Sequence, residues 1–595
     1  MLPRDRVKIF LDELLVLLIS IGLFLSFLYL MDFFDGKIYV TIRRATLIKS
    51  LEIGFMGSLL CVLFFSIVVY LSLILLFRIP YIVILIFLGL FLYQFYGINI
   101  YYPYLLILTI IVFSFSFIKV GNFLDRFVKY ISLNIIVLEG LSLIPYILYP
   151  FMGGEIYRDG FWSISFLELK ICYGLQNVYA IILFIYPYIA LILFLLSIKL
   201  RKIRKISLKI GGKRRFFQLR LPSHEILDRK FSKILFIVSI ILVFITTLYP
   251  YSSKINPGQR PVGVDINTFY NDWLKDALKN DPVKMAFNAS QGSRPLYLLS
   301  TYLIAKIFNI DPLIFNEIYV PIILYLMLIL STYYLSYRMT RRHDFAALAS
   351  FLTITGYQTT IGIYSAYYAN LMALSLIYLM FGLLFNDGLK YIVGACIISF
   401  TCNFIHPWTL EQGLLALFSI SIIDFLHTRK INKKLLGKTF PPIVSAFLAE
   451  QVKIYMNNMG MIAASTGTRT SFIFLRFWSS FKEINFFVKI LYGGYMGTPL
   501  LLLFIPAIIL AIFLDKKVYR FIFAWTFTLL PILFYDNIIQ SRLYFNYPVG
   551  LLIPIITLYP CLFFKKSFTK KIFISAIIVT SLNYLLRCMA NIHYL

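Results

Sequence analysis

The sequence predicts an all-α protein that crosses a lipid bilayer many times. Three observations carry that prediction. The 595-residue chain is 60% hydrophobic and only 14% charged, where a soluble domain carries about 25% charged residues. Apolar runs of roughly 20 residues recur along it, the length a helix needs to cross about 30 Å of hydrocarbon. The runs are continuous rather than alternating, so helices and not a barrel satisfy their backbone groups. A coarse pass along the chain gives about seventeen spans.

The net charge of +29 sits in short loops between apolar runs, as the positive-inside rule produces. That distribution argues against nucleic acid as a partner. Cys61, Cys172, Cys396, Cys402, Cys561 and Cys588 lie within or beside apolar runs, and the chain has no CxxC or Cys/His cluster. Zinc and a disulfide framework are therefore not expected.

Taken in order, the first apolar run at 14–31 is too long for a signal-peptide core and lacks a small-residue cleavage site, so it reads as a retained span. Six spans fall between 14 and 200, forming an N-terminal module (1–198) of no assigned role. Residues 199–233 then hold thirteen Lys or Arg against Glu225 and Asp228. This basic linker belongs in the cytoplasm, and six spans before it put the N-terminus there too. The run 234–249 must lead outward, placing 251–293 outside, where five basic residues face four acids. The run 296–308 is short for a span and reads as an interfacial helix. With that choice, 318–337 runs inward and delivers Arg338, Arg341 and Arg342 to the cytoplasm. The loops 429–438, 516–520 and 565–571 then fall inside; 363–370, 406–409, 457–497 and 536–548 fall outside. The loop 37–49, with four basic residues, is the exception and comes out external.

The external loop carries the most chemistry. It reads Pro261-Val-Gly-Val-Asp265-Ile-Asn267-Thr-Phe-Tyr270-Asn-Asp272-Trp273, followed by Arg294-Pro295-Leu-Tyr297 and a short apolar helix ending before Asp311-Pro312. A carboxylate just outside the membrane can act as general base on an acceptor hydroxyl beside a lipid-anchored leaving group. Asp265 equally suits an N-cap of a short helix. Tyr270 and Asp272 are further substrate-binding candidates on the same loop. Near the end, Gln540-Ser541-Arg542-Leu-Tyr544-Phe-Asn546-Tyr547-Pro548 leads into a late span.

The order of these elements over 234–554 resembles the core of the GT-C superfamily, integral membrane glycosyltransferases that use polyprenyl-phosphate sugars. Protein O-mannosyltransferases and lipid A aminoarabinose transferases belong to it. The resemblance implies an extracytoplasmic active site in a C-terminal catalytic module (234–595, with the external loop extending over 251–317). It implies Asp265 as the catalytic residue, Arg294 as a contact to donor phosphate and Arg542 as a second phosphate ligand. The donor would be a polyprenyl-phosphate-linked sugar, with the acceptor a glycan, lipid or protein. Two departures stand out: the loop has no paired acids, only Asp265, Asn267 and a separate Asp272, and the second external loop around Tyr364, Tyr367 and Tyr368 has none. Asp265 and Asn267 are a thin set for Mg²⁺ or Mn²⁺, so a divalent cation stays open.

Other residues carry two readings each. His406, at the outer end of a span with Glu411 near it, can bind phosphate or acceptor, or anchor the interface with Trp408. Arg469, Arg476, Lys482 and Lys489 suit a polyanionic head group or an amphipathic helix. Asn288-Ala289-Ser290 matches an acceptor sequon, a pattern that often arises by chance. Glu139 and Glu450 are the intramembrane acids that a transporter or lipid flippase would use. A polysaccharide polymerase or ligase is the other alternative.

Overall fold

The computed structural model describes residues 121–152, 176–203, 209–210, 213–214, 225–292, 294–458, 504–511, 516–531, 542–562, 564 and 566–591. The run at 14–31, the loop 37–49 and most of the N-terminal spans lie outside the described residues. So do Arg469, Arg476, Lys482, Lys489, and the Gln540 and Ser541 that precede Arg542.

The described chain is helical apart from one two-residue ladder within the basic linker, β1 (Lys209–Ile210) with β2 (Lys213–Arg214). In order the helices are α1 (Gly121–Met152), α2 (Gln176–Ile203), α3 (Arg229–Leu248), α4 (Pro282–Asn288), α5 (Pro295–Ile307), α6 (Val320–Thr340), α7 (His343–Ile354) and α8 (Tyr357–Ser365). They continue with α9 (Tyr368–Leu384), α10 (Leu389–Ile405), α11 (Pro407–Thr428), α12 (Lys433–Asn458), α13 (Phe504–Ala511), α14 (Lys516–Phe527), α15 (Val549–Cys561) and α16 (Ser567–Asn591). Among the described residues, five segments are long and apolar enough to cross a membrane: Val128–Met152, Arg229–Tyr251, Pro312–Thr340, Pro407–Thr428 and Ser567–Ala590.

The chain divides into two compact units that interleave along the sequence. Of the described residues, the first holds 121–152, 176–186, 504–507 and 555–590; the second holds 187–458, 508–554 and Asn591. In the first unit, α1 and α16 lie side by side. Asp125 Oδ2 accepts the Lys566 backbone N–H at 3.3 Å, and Asn583 Nδ2 donates to Glu139 Oε2 at 2.5 Å and to Ser142 Oγ. A buried carboxylate in an apolar helix is costly unless it is bonded this way.

The second unit carries the motifs of the 251–317 loop. Its helices turn apolar side chains outward and small polar ones inward. On α3, Ile234, Ile237, Ile241, Phe244 and Ile245 are exposed, while Ser239, Thr246 and Thr247 are buried. On α11, Phe418, Ile422 and Phe425 are exposed and Gln412 and Asp424 buried. That polarity inversion would be unstable in water and suits a bilayer, where outward apolar faces meet lipid.

α3 and α6 run antiparallel between two chemically different ends. At one end, Asp344 accepts backbone N–H groups from Ile226 (2.7 Å) and Leu227 (3.3 Å) and pairs with Arg342 at 2.6 Å. The end of the basic linker is thus tied to the Arg338–Arg342 turn. Asn386 joins the same end, bonded to Tyr334 and accepting from Lys438 Nζ at 2.6 Å. Asp424 there engages Arg520 and Asn432. The basic turns after α6, after α11 and before α14 are therefore gathered together. At the other end, Glu317 accepts from the Tyr251 hydroxyl and from Val262 N–H at 2.8 Å. α5 is the 13-residue helix expected at 296–308; at 1.5 Å per residue it spans about 20 Å, too short to cross. Leu303, Ile304, Ile307 and Phe308 remain exposed along it, the face an interfacial helix needs.

Candidate functional site

Asp265 opens a π-helical stretch, Ile266–Tyr270, that continues as Asp272–Asp276. Such wide turns are rare and recur at functional sites. The loop approaches α8 closely just ahead of Asp265. A Cβ added at Gly263 would fall 2.5 Å from Ala366 Cβ, so only glycine lets the backbone lie there. The Val262 N–H bond to Glu317 fixes the same segment from its other side.

The Asp265 side chain makes no cap hydrogen bond, which removes the N-cap reading. Asp281 and Asp311 do cap, accepting N–H from Lys284 and from Leu313 and Ile314. Asp265 instead stands between two guanidinium groups, with Oδ2 3.8 Å from Arg294 Nη1 and 3.8 Å from Arg542 Nη2. All three side chains are mostly buried. At 3.8 Å these are ion pairs without the 2.7–2.9 Å bonds, roughly, that a locked carboxylate makes, so the carboxylate and both arginines keep unused valences. Burial raises the Asp265 pKa above that of an ordinary aspartate, and Arg542 and Arg294 offset part of that rise. A carboxylate so tuned is a better proton acceptor than a free one.

Each arginine lies against an aromatic face. Arg294 sits at the N-terminus of α5, ahead of Pro295 at the first helical position, with its guanidinium carbon 4.4 Å from the Phe269 ring centre. Its Nη1 also donates to the Tyr270 hydroxyl at 3.4 Å. Arg542 Cζ is 3.2 Å from the centre of the Tyr367 ring. Such stacking fixes the plane of the fork and leaves N–H donors at its edge for an anion that presents two oxygens. Tyr270 is buried, stacked on Tyr368 at 6.5 Å and beside Tyr297 at 5.6 Å. Burial raises its pKa, so its hydroxyl is neutral at physiological pH.

The Arg542 segment is fixed through its backbone. Gln358 Nε2 donates to Phe545 O at 2.9 Å, Tyr357 to Tyr544 O at 2.6 Å, and Gln412 Nε2 to Leu543 O at 3.0 Å. His406 caps α11, its Nδ1 accepting the Thr409 N–H at 3.3 Å. It is buried, and burial lowers its pKa, with Arg294, Arg542 and Lys453 adding to the effect. It is therefore a neutral imidazole within electrostatic reach of both arginines.

Of the residues predicted from sequence, Asp265, Arg294, Arg542 and Tyr270 converge, and His406 lies in their field. Asp272 is exposed on the loop, with no ion pair among the described residues. The Asn267 side chain lies outside the described residues. Among the described residues, no three His, Cys, Asp or Glu side chains come together. Glu411 lies on α11 in the fields of Glu450 and Lys453, and Glu450 pairs with Lys453 at 3.8 Å.

Sequence reasoning missed Phe269, Glu317 and Tyr367. A signal for Tyr367 existed, the adjacent Tyr367-Tyr368 pair in a short loop between apolar runs. Glu317 had a weaker one, an acid at the mouth of an apolar run. No protein-family model, curated protein or solved structure matches the chain.

Proposed function

We propose that this protein is a multi-pass membrane glycosyltransferase of GT-C type, moving a sugar from a polyprenyl-phosphate donor to an acceptor hydroxyl on the extracytoplasmic face. The observation that carries the reading is one buried carboxylate, Asp265, flanked by two aromatic-stacked arginines, Arg294 and Arg542.

In this mechanism Asp265 takes the proton of the acceptor hydroxyl while its oxygen attacks the anomeric carbon. The bond from that carbon to the phosphate oxygen breaks, the electron pair leaves with the phosphate, and the anomeric configuration inverts. Charge supports the assignment. A sugar phosphodiester carries one negative charge, which with ionised Asp265 balances the two arginines. After transfer the lipid phosphate gains a negative charge and Asp265 becomes neutral, so the balance is kept throughout. Groups that match developing charge without reorganising are the main source of such catalysis. The balance calls for no Mg²⁺ or Mn²⁺, and turnover is expected to survive EDTA.

The orientation follows from charge. The gathered basic turns belong in the cytoplasm, along with the linker and the N-terminus. The Asp265 end then faces outward, with α5 in the interface and about seventeen spans in the whole chain. Support against the transporter alternative is local: Glu139 is bonded to Asn583, and Glu450 pairs with Lys453.

The test is donor use by the purified full chain, read as undecaprenyl phosphate released from undecaprenyl-phosphate-linked sugars. Arg294→Ala and Arg542→Ala should each weaken donor affinity. The lysine variants should recover part of it, because Lys keeps the charge but loses the fork. Unchanged donor affinity in both alanine variants rejects the assignment.

A further inference from the structure

Beside the two arginines lies a buried polar network whose internal bonding leaves three ends unused. Gln412 anchors it. Its Nε2 donates to Thr528 Oγ1 and to Leu543 O, both at 3.0 Å, so its Oε1 must face the other way. Oε1 receives Asn546 Nδ2 at 2.8 Å. That bond orients the Asn546 amide, and its Oδ1 has no partner among the described residues. Thr409 links the rest, its hydroxyl touching Asn370 Oδ1 and lying 2.8 Å from His406 Nδ1. Asn370 Nδ2 likewise has no partner among the described residues. His406 Nδ1 faces both the Thr409 backbone N–H and the Thr409 hydroxyl, and either tautomer of the neutral ring leaves Nε2 at the far side of the imidazole. No hydrogen bond among the described residues uses that Nε2.

Asn370, His406 and Asn546 are only 1%, 4% and 1% exposed. Buried polar ends without partners are uncommon, because each costs free energy unless something meets it. The three ends are an amide acceptor, an amide donor and an imidazole nitrogen, held by side chains that cannot easily turn. They are also attached to the phosphate-binding elements. Asn546 lies one turn from Arg542, whose carbonyl accepts its N–H at 3.1 Å, and His406 lies in the field of both arginines. A mixed set of fixed donors and acceptors beside an anion subsite matches a sugar's hydroxyl groups next to its phosphate.

We propose that Asn370, His406 and Asn546 form the sugar-recognising wall of the site, their unused polar ends bonding hydroxyl groups of the transferred sugar. This inference rests on the glycosyltransferase reading and adds the part of the donor that the arginines do not read.

The experiment compares two kinds of probe on the full-length protein in nanodiscs. One is bare undecaprenyl phosphate; the other is undecaprenyl phosphate carrying glucose, mannose, galactose, N-acetylglucosamine or arabinose. Wild-type protein should bind one sugar-linked lipid at least about 10-fold more tightly than the bare lipid, and deleting one hydroxyl of that sugar should cost about 5- to 100-fold. Asn370→Ala and Asn546→Ala should bring the sugar-linked affinity down to that of the bare lipid and leave the bare-lipid affinity unchanged. If either variant fails to fold, the near-isosteric Asn→Leu change and the wild-type deoxysugar series carry the same test. Equal weakening of both probes overturns the proposal, since the network would then only position Arg542. No change in either probe also overturns it, leaving water as what meets these groups. Wild-type protein that binds neither lipid rejects the glycosyltransferase reading itself, an outcome distinct from the other two.

Discussion

Glu317 accepts the Val262 backbone N–H at 2.8 Å, so the carboxylate at the start of one apolar segment holds the chain just ahead of Asp265. The Tyr251 hydroxyl donates to the same oxygen, and the loop is thereby tied at its entry and close to Asp265. Displacing a reacting group by about 1 Å can cost roughly 100-fold. Glu317→Ala is expected to lower turnover by about 10- to 100-fold while donor KM changes little, because the arginines stay in place. Glu317→Gln keeps an oxygen that can accept the same N–H and should restore most of the rate. Steady-state kinetics with a melting curve for each variant checks this. An alanine variant with wild-type kcat would free Glu317 of any positioning role.

The pH dependence of turnover should show the environment of Asp265. A general base works only when deprotonated, so activity rises with pH through its pKa. Burial sets that pKa above the ordinary aspartate value, and the acid limb should lie correspondingly higher. Arg542 and Arg294 both act to lower it. Removing either cation destabilises the anion, so Arg542→Ala should move the acid limb of kcat/KM to higher pH, and Arg542→Lys should move it less. A limb that stays in place in the alanine variant would mean that another group titrates.

The orientation is tested by labelling. Asn280 is exposed on the loop that carries Asp265, and Lys430 is exposed in the basic turn after α11. In intact cells a membrane-impermeant maleimide should modify Asn280→Cys above the background of the native cysteines. Lys430→Cys should react only after permeabilisation. The reverse pattern would put the Asp265 loop in the cytoplasm and reject an extracytoplasmic donor site.

The helical class, with segments long and apolar enough to cross a membrane, was legible because it follows from composition and run length. Asp265, Arg294 and Arg542 were also legible, since charges beside apolar runs and prolines stand out in so apolar a sequence. Their meeting at one carboxylate was not written in any local pattern. It depends on Gln358, Tyr357 and Gln412 fixing the 542–547 segment through its backbone carbonyls. These are side-chain to main-chain bonds between distant helices, and they leave no spacing in the sequence. Tyr367 was hidden for a related reason. Its role depends on Arg542 lying over its ring, and the adjacent Tyr367-Tyr368 pair does not say which cation either ring meets. Asp272 illustrates the converse. It is a substrate-binding candidate by its place on the same loop, but the wide turns at 266–270 and 272–276 leave it exposed.

The Asp265→Asn variant separates the two roles proposed for this carboxylate. As general base it should contribute about 10²- to 10⁴-fold, so turnover should fall by at least that lower factor. As an anion between two arginines it also competes with any phosphate that approaches them. Asparagine is nearly isosteric, keeps a polar oxygen and removes the negative charge. The variant should therefore bind bare undecaprenyl phosphate more tightly than wild type, by about five-fold if the lost ion pairing is near 1 kcal/mol. The side chain makes no cap bond, so no helix start depends on it. Leaving two buried cations without their shared anion should lower the melting temperature, and added lipid phosphate should restore it. A purely structural aspartate predicts a different set: lower stability, unchanged lipid affinity and near wild-type turnover in the folded fraction. Asp272→Asn is the control, expected to leave all three readings at wild-type values because its carboxylate is exposed. Asp265→Asn protein that transfers sugar at the wild-type rate would sink the mechanism, even if the lipid phosphate still binds.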